Sequence, residues 1–281
     1  MRRFLLVLAV VAALLTGSAA PAAAEDREHD SEHGTLLGLG DSVAFGFNPL
    51  LSPAQASNFV GYPDLAARRL ELRDVNASCP GEATGGFVSA TGTDNGCRPY
   101  RASFPLHVSY TGTQLAFALS YLRAHHDVRL VTIDIGANDV FVLQRQCGND
   151  PACVNAGLPR VLAAIQANLA LAFGQVRSQA HYHRALVVVT YYALAYDPAT
   201  AAGTQALNAP IAATARQFGG VVADGFAAFQ GPALAAGGSS CAAGLLIVLA
   251  PGKCDVHPTL KGQDLLAQAV ARAAIGGGDP D

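Results

Sequence analysis

Residues 128–139 read VRLVTIDIGAND, an apolar and β-branched run that ends in glycine, asparagine and aspartate. Val, Ile and Leu fill most of residues 128–135, and β-branched side chains favour an extended backbone. Because apolar residues outnumber polar ones, the pattern is typical of a strand covered on both faces. The run therefore predicts a central strand of a parallel sheet, followed by a polar turn.

Strand and helix signals alternate along the rest of the chain. Short apolar runs predict four further strands, at residues 35–39, 74–77, 185–191 and 220–223. Apolar side chains at helical spacing predict helices at residues 59–72, 114–126, 158–180 and 259–275, and one more that ends near residue 218. The glycine-rich stretch 80–109 has no clear period and predicts a long loop. This alternation predicts an α/β fold, a three-layer α/β/α sandwich with a parallel five-stranded sheet.

Composition is that of a globular protein. The chain has 281 residues, 51% of them hydrophobic and 14% charged, which excludes a disordered or fibrous protein. Its 18 Lys and Arg residues against 21 Asp and Glu residues give a net charge of -3, and no basic block occurs. We therefore expect no nucleic-acid partner, because binding to nucleic acid needs a basic surface.

The N-terminus has the three parts of a secretory signal peptide within residues 1–24. Two arginines come first, an uncharged run covers residues 4–15, and three alanines at residues 22–24 offer a cleavage site. That run is shorter than the roughly 20 residues that a membrane-spanning helix needs. Residues 25–34 are polar and predict a disordered lead-in, and residues 35–281 predict a single domain. We expect a secreted protein with no transmembrane segment.

Six cysteines lie in three near pairs along the sequence. An even number of cysteines in an exported protein indicates disulfides, and nearest-neighbour pairing is favoured among the 15 possible connectivities. A zinc site is the alternative, but the sequence has no CxxC spacing. The favoured pairs are Cys79 with Cys97, Cys147 with Cys153, and Cys241 with Cys254.

Polar loops follow the predicted strands and share one edge of the predicted sheet. Residues 40–42 (GDS) follow the first strand, residues 136–139 (GAND) follow the central strand, and residues 255–258 (DVHP) precede the last helix. Ligands of such sheets bind at the carboxyl ends of the strands, so Ser42 and His257 are expected to meet there. A serine hydroxyl needs a neighbouring base of this kind to become a nucleophile.

With these blocks in this order, the chain resembles the SGNH hydrolases, the GDSL esterase and lipase family. The resemblance covers nearly all of the chain that follows the predicted signal peptide, and it implies the flavodoxin-like SGNH hydrolase fold. It matches Ser42 in GDS, Gly81 in NASCPGE, Asn138 in GAND, and the final His257 to the four family blocks.

The resemblance implies a serine ester hydrolase with a role for each of these residues. Ser42 is the nucleophile and His257 the base that takes its proton. The backbone N–H groups of Ser42 and Gly81 and the side-chain amide of Asn138 form the oxyanion hole. The resemblance implies no cofactor and no metal.

The last block departs from the pattern DxxH that is usual in the family. Cys254 stands where the family has aspartate, and the nearest acid is Asp255. Two arrangements stay open: Asp255 orients His257 and is a third catalytic residue, or a backbone carbonyl near Cys254 does so while Asp255 is a solvent-facing turn acid.

Residues that follow the nucleophile closely are expected to determine substrate choice. They are Phe45, Phe47, Leu50 and Leu51, and two arrangements stay open: they wall an acyl pocket, or half of them pack in the core. The loop 85–96 is expected to contribute to substrate choice with them. This interpretation rests on their position in the sequence alone.

Motifs of other enzyme classes fail in this sequence. The dinucleotide fingerprint needs glycine where Val43 stands, and the α/β-hydrolase elbow needs glycine where Ala44 stands. We predict a secreted, cofactor-free and monomeric serine esterase or lipase that acts on a small-molecule or lipid ester. A carbohydrate deacetylase with the same machinery and a secreted binding module without catalysis stay as alternatives.

Overall fold

A computed structural model of the chain describes residues 34–276, so the predicted signal peptide and nearly all of the predicted lead-in lie outside the described residues. Its main sheet has five strands, β1 (Thr35–Gly40), β2 (Arg73–Asn76), β3 (Val128–Asp134), β4 (Ala185–Val189) and β5 (Val221–Ala223). All neighbours pair in parallel, in the order β2-β1-β3-β4-β5. The predicted parallel five-stranded sheet is confirmed.

Helices flank this sheet and complete the three-layer α/β/α sandwich. They are α1 (Ser42–Phe45), α2 (Tyr62–Arg69), α3 (Thr84–Val88), α4 (Cys97–Ser103), α5 (Gln114–Ala124), α6 (Ala137–Gln146), α7 (Pro151–Ser178), α8 (Pro198–Gln217), α9 (Gly225–Ala235) and α10 (Leu260–Gly276), with a short 3-10 helix at Ala56–Asn58. All six residues of β1 are buried, as are all residues of β3 except Arg129, because helices cover both faces of these central strands.

The long loop predicted at residues 80–109 contains two short helices, so that prediction was wrong. α3 has the sequence TGGFV, whose two glycines disfavour a helix, but Phe87 is buried in the core and holds the turn in place. α4 begins where the Asp94 carboxylate accepts a hydrogen bond from the Cys97 backbone N–H at 2.9 Å. Tertiary contacts and a cap form these helices, and neither shows as an apolar period.

Besides α1 and α6, two further elements were missed in the sequence. One is α9, which contains Gly231 and Pro232; Asp224 caps its start, and the buried rings of Phe226 and Phe229 pack it onto the core. The other is an antiparallel hairpin, β6 (Leu246–Ala250) and β7 (Lys253–Pro258), which forms a separate two-stranded sheet. We call β6 and β7 the histidine hairpin, because β7 carries His257.

All six cysteines form disulfides, in the pairing that nearest neighbours in the sequence predict. The bonds join Cys79 to Cys97, Cys147 to Cys153, and Cys241 to Cys254. Three disulfides are consistent with a protein that matures in an oxidising compartment.

Within residues 34–276, α7 is the one helix long and apolar enough to cross a membrane by length and composition. Its buried side chains include Ile165, Leu169 and Phe173, which are spaced four residues apart and belong to the hydrophobic core. Of the apolar window in this helix, 22% is buried inside the structure.

Candidate active site

The loops after β1 and β3 border one crevice. In the strand order 2-1-3-4-5, the chain leaves β1 and β3 in opposite directions, and a crevice opens between their carboxyl ends. Ser42 follows β1 and Asn138 follows β3. Both residues therefore lie at the position where this type of sheet binds its ligands.

Ser42 lies in a tight turn between β1 and α1. Gly40 has a φ of 129°, and a side-chain carbon there would lie 2.1 Å from the Asp134 carbonyl oxygen, so only glycine fits. The Asp41 carboxylate caps α1 by accepting a hydrogen bond from the Val43 backbone N–H at 2.9 Å. This turn leaves the Ser42 side chain partly exposed at the first residue of a helix.

His257 meets Ser42 from the histidine hairpin. Its Nε2 atom lies 2.8 Å from Ser42 Oγ, which is a hydrogen-bonding distance. Its Nδ1 atom contacts the Asp255 carboxylate, which also accepts a hydrogen bond from the His257 backbone N–H at 3.1 Å. The hydrogen bond from the imidazole lowers the pKa of Asp255 below its usual value. Carboxylate, imidazole and hydroxyl thus form one continuous line of contacts.

The conformation of β7 explains why an acid two residues before the histidine can reach it. Side chains at positions i and i+2 of a strand point to the same face. Asp255 and His257 therefore lie side by side, whereas Cys254 bonds to Cys241. Of the two arrangements that the sequence left open, the structure has the Asp255 side chain on His257 Nδ1.

Two aromatic residues brace this part of the hairpin. The Phe47 ring packs edge-on against the His257 imidazole, with ring centroids 5.0 Å apart. The Tyr192 hydroxyl donates a hydrogen bond to the Val256 carbonyl oxygen at 2.6 Å. These contacts restrict the imidazole and the backbone just before it.

Two backbone N–H groups at the crevice, those of Ser42 and Gly81, have no acceptor among residues 34–276. Gly81 has a φ of 83°, and a side-chain carbon there would lie 3.1 Å from the Asn95 carbonyl group, so glycine is favoured. The Gly81 carbonyl oxygen accepts a hydrogen bond from the Asn95 backbone N–H at 2.9 Å. Free N–H groups beside a nucleophile can receive the oxygen that becomes negatively charged during acyl transfer.

Asn138 is the second residue of α6, and only 4% of it is exposed. Its amide nitrogen donates hydrogen bonds to the Glu82 carbonyl oxygen at 3.0 Å and to the Asp41 carboxylate at 3.2 Å. Its amide oxygen accepts a hydrogen bond from the Asn95 side chain. These contacts fix the amide so that one N–H points to the turn that carries Ser42 and the other bonds the Glu82 backbone.

Three side chains that support the site were missed in the sequence: Asn95, Tyr191 and Gln114. The Gln114 amide bonds both backbone groups of Gly40, at 2.6 Å and 3.0 Å. The Tyr191 hydroxyl donates a hydrogen bond to the Asp41 carboxylate at 2.6 Å. Tyr191 lies just after β4, so the rule that sites form at strand ends could have found it. Asn95 and Gln114 have no comparable signal in the sequence.

Asp41 and Asp134 form a buried pair of acids beneath the Ser42 turn. Burial raises the pKa of Asp41, although hydrogen bonds from Tyr191 and Val43 oppose the shift. Burial and the neighbouring Asp41 raise the pKa of Asp134 well above its usual value. Two close carboxyl groups in a dry site disfavour double ionisation, which adds to the effect of burial on Asp134.

Cys79, Glu82 and Cys97 form the one cluster in the described residues whose donor atoms lie close enough to hold a metal ion. Both sulfurs belong to the Cys79–Cys97 disulfide, so they are not the thiolates that bind metals. Burial, with the nearby Asp94 carboxylate, raises the pKa of Glu82 to about 8. The cluster is a buried carboxyl group packed against a disulfide.

A cavity of about 190 Å³ opens beside Ser42 and His257. Its walls come from α6, α8 and the segment after β4. Apart from Thr200, Thr204 and the polar site residues, the side chains that line it are apolar or aromatic: Val43, Ala137, Val140, Phe141, Tyr191, Tyr192, Leu194, Leu207 and Val256.

None of the residues that were expected to wall an acyl pocket lines this cavity, but Phe47 packs against His257, so their part in substrate choice stays a prediction. Phe45 is fully buried and packs against Phe59 in a second hydrophobic cluster. Leu50 and Leu51 are 61% and 42% exposed, and the loop 85–96 also lies outside the cavity. Closeness to Ser42 in the sequence is an unreliable guide, since Phe47 contacts the His257 ring whereas Phe45, Leu50 and Leu51 lie outside the cavity.

Comparison with known proteins agrees with this geometry. The chain matches the GDSL-like lipase/acylhydrolase family over residues 39–265. It is similar to the structure of an acetylxylan esterase from Geobacillus stearothermophilus, at 18% identity and a TM-score of 0.54, over 86% of this chain and 94% of that chain. It is also similar to an α/β hydrolase from the metagenome of Lake Arreo, Spain, at 17% identity and a TM-score of 0.53, over 88% of this chain and 96% of that chain. A search of the curated proteins found no match.

At these identities the two solved structures show a shared fold, which is the α/β/α fold predicted from the sequence. The family match is stronger evidence, because it covers most of the chain and contains Ser42, Gly81, Asn138 and His257. The chain therefore belongs to the GDSL-like lipase/acylhydrolase family and is a carboxylic ester hydrolase.

Proposed function

We propose that the protein hydrolyses carboxylic esters through a covalent acyl-enzyme on Ser42. The observation that carries the proposal is the 2.8 Å contact between Ser42 Oγ and His257 Nε2, with Asp255 on the other imidazole nitrogen. His257 takes the Ser42 proton as Oγ bonds to the ester carbonyl carbon, and Asp255 stabilises the imidazolium. His257 then gives that proton to the leaving oxygen, and the alcohol departs.

Deacylation repeats the same steps with water. His257 accepts a proton from water as the water oxygen bonds to the acyl carbon, and the bond between that carbon and Ser42 Oγ then breaks. Ser42 recovers its proton from His257. One ester and one water are consumed in each cycle, and one carboxylic acid and one alcohol are released.

The proposed oxyanion hole consists of the Ser42 and Gly81 backbone N–H groups and the Asn138 amide. The two backbone groups have no acceptor among the described residues and can bind the oxyanion directly. The Asn138 amide donates to Asp41 at 3.2 Å in the absence of substrate. A developing oxyanion accepts a shorter and stronger hydrogen bond and can replace that contact.

The experiment that tests this mechanism labels the protein with a fluorophosphonate and measures hydrolysis of 4-nitrophenyl acetate. We expect label on the Ser42 peptide, and a fall in kcat of roughly a million-fold in Ser42→Ala. Ser178→Ala is the control, because that hydroxyl bonds to its own helix at Gly174 and lies on the exposed side of α7. A folded wild-type protein that neither takes the label nor hydrolyses any ester would favour the binding module instead.

A carbohydrate deacetylase is the second candidate for the substrate of this site. It is supported by the similarity to the acetylxylan esterase from Geobacillus stearothermophilus. Release of acetate from acetylated xylan separates the two candidates. A kcat/KM for acetylated xylo-oligosaccharides far above that for simple alkyl and aryl esters would favour the deacetylase.

We also propose that the protein is exported and loses residues 1–24. Three disulfides support this proposal, because they form in oxidising compartments. N-terminal sequencing of protein from the medium of an expressing bacterial host is expected to begin at Glu25. Protein that stays in the cytoplasm with Met1 in place would contradict it.

A further inference from the structure

We infer that the apolar cavity beside Ser42 binds the acyl chain of the ester, and that it suits medium chains of roughly six to eight carbon atoms. The inference rests on the proposed function, because it assigns this cavity to the substrate of the same site. It names a substrate class that differs from an acetyl ester.

Two helices, α6 and α8, each line the cavity with residues of one helical face. On α6, Val140 and Phe141 line it one turn after the start of the helix. On α8, the lining residues are Thr200, Thr204 and Leu207, whose spacing of four and three residues places them on one helical face. The cavity is therefore a groove lined by two helices, and Ser42 and His257 belong to its lining.

Most polar atoms near this groove are already hydrogen-bonded within the protein. The Tyr191 hydroxyl donates to Asp41 and the Tyr192 hydroxyl donates to the Val256 carbonyl oxygen, both at 2.6 Å. The Thr204 hydroxyl donates to a backbone carbonyl of its own helix at 3.0 Å. A sugar would lose its hydrogen bonds to water in such a groove without replacing them, at a cost for each hydroxyl. A hydrocarbon chain has no hydrogen bonds to water to lose, and burial of its apolar surface favours binding.

The size of the cavity sets the length of the chain. An apolar cavity of about 150 Å³ in another protein binds benzene, which has six carbon atoms. The cavity here is larger, at about 190 Å³, and therefore holds a chain slightly longer than six carbons. Each methylene group moved from water into apolar surroundings favours binding about fourfold.

The acyl side of the ester fits the groove better than the alcohol side. After the first step the alcohol has left, whereas the acyl chain stays attached to Ser42 until water releases it. A fixed apolar wall next to Ser42 thus holds the acyl chain through both steps. The departing alcohol leaves after the first step and needs no such lasting contact.

The first test compares two series of esters with the wild-type protein. In the first series the leaving group is constant, 4-nitrophenol, and the acyl chain grows from acetyl to hexadecanoyl. We expect kcat/KM to rise about fourfold for each methylene group up to roughly octanoyl, and then to level off or fall. In the second series, alkyl acetates with longer alcohols, we expect no such rise.

The second test fills the groove from each wall in turn. Leu207→Trp and Val140→Phe are expected to lower the ratio of octanoyl to acetyl kcat/KM by about tenfold or more. Leu207→Ala enlarges the groove and is expected to move the optimum to longer chains. Leu234→Trp is the control, because Leu234 is 56% exposed on α9 and lies outside the cavity, and its ratio should equal that of the wild type.

The outcomes separate this inference from the proposed function. If the wild type hydrolyses acetyl esters but shows no rise with acyl length, or if the rise follows the alcohol series, the inference is wrong while the mechanism stands. An unchanged ratio in both Leu207→Trp and Val140→Phe, with both variants folded, also overturns it. If no ester at all is hydrolysed by folded wild-type protein, the proposed function itself fails.

Discussion

The two halves of the active site are held by different kinds of structure. Ser42 and Asn138 follow the adjacent central strands β1 and β3, whose residues are almost all buried. Asp255 and His257 lie on the separate two-stranded histidine hairpin, where most residues of β7 are partly exposed. A few individual contacts hold this second half, among them the Cys241–Cys254 disulfide, the Tyr192 hydrogen bond to Val256 and the packing of Phe47 on His257.

This difference indicates how each half responds to mutation. The proposed nucleophile and oxyanion donors gain their rigidity from the packed core, so their support cannot be removed without disturbing many contacts. The proposed base gains its position from a few contacts that can be removed one at a time. We therefore expect changes in the hairpin to reduce catalysis more than folding.

The largest expected effect tests the hairpin half. Asp255→Asn should lower kcat by roughly 1,000- to 10,000-fold, because the amide no longer stabilises the imidazolium. The lowered pKa of Asp255 means that its contribution to stability is present above the pKa of an unfolded aspartate and is lost only as the pH falls through the lower folded value. Steady-state kinetics measure kcat, and thermal melts at several pH values measure the stability. A decrease in kcat of less than tenfold would mean that Asp255 does not act on His257.

The next effect tests the sheet half through Asn95. Its side-chain amide donates a hydrogen bond to the Asn138 amide oxygen, and its backbone N–H donates one to the Gly81 carbonyl oxygen. Alanine removes only the side-chain bond. Asn95→Ala should lower kcat by about 10- to 100-fold with KM nearly unchanged, less than the loss expected for a direct oxyanion donor. Asn155→Ala on the exposed surface of α7 is the control. A rise in KM with constant kcat would contradict a role in positioning Asn138.

The third prediction compares two disulfides that close short loops. Replacing Cys241 and Cys254 by serine should cost about 3 kcal/mol of stability and lower kcat severalfold, because the strand that carries His257 loosens. Replacing Cys147 and Cys153, between α6 and α7, should cost about 2 kcal/mol and leave kcat near the wild-type value. Urea denaturation and initial rates measure the two quantities. Equal effects of both pairs on kcat would contradict the distinction between the two halves.

The smallest effect on catalysis is expected at Glu82, whose pKa rises to about 8 in the fold. A raised acid pKa favours the folded state fully below the unfolded value, and this contribution is lost as the pH rises through about 8. The melting temperature of the wild type should therefore fall as the pH rises from about 5 to about 9. The melting temperature of Glu82→Gln should fall less over the same range, because the amide does not titrate. Parallel pH curves for the two proteins would show that Glu82 is not protonated in the fold.

The main sheet, and which residues meet in the candidate site, could be predicted from the sequence. The apolar runs at β1 and β3 are local signals, since a strand buried on both faces must be apolar along its length. Ser42, Asn138 and His257 follow from motif order and from the rule that sites form at the carboxyl ends of parallel strands. Disulfide pairing also followed from closeness in the sequence.

Other features depend on contacts between distant parts of the chain. The Asp255 side chain reaches His257 because β7 is a strand, and β7 forms only by pairing with β6. Asn95 supports Gly81 and Asn138 because the fold of the loop around the Cys79–Cys97 disulfide brings it there. No period or motif in the sequence reports either contact.

The cavity shows the same limit most clearly. Val140 on α6 and Leu207 on α8 lie far apart in the sequence but line one groove, whereas Leu50, close to Ser42 in the sequence, lies in solvent. Periodicity and motifs are local signals: they indicate which residues of a segment are buried and which are reactive. Which helices face each other across the crevice, and what chain fits between them, is decided by packing, which only the folded molecule contains.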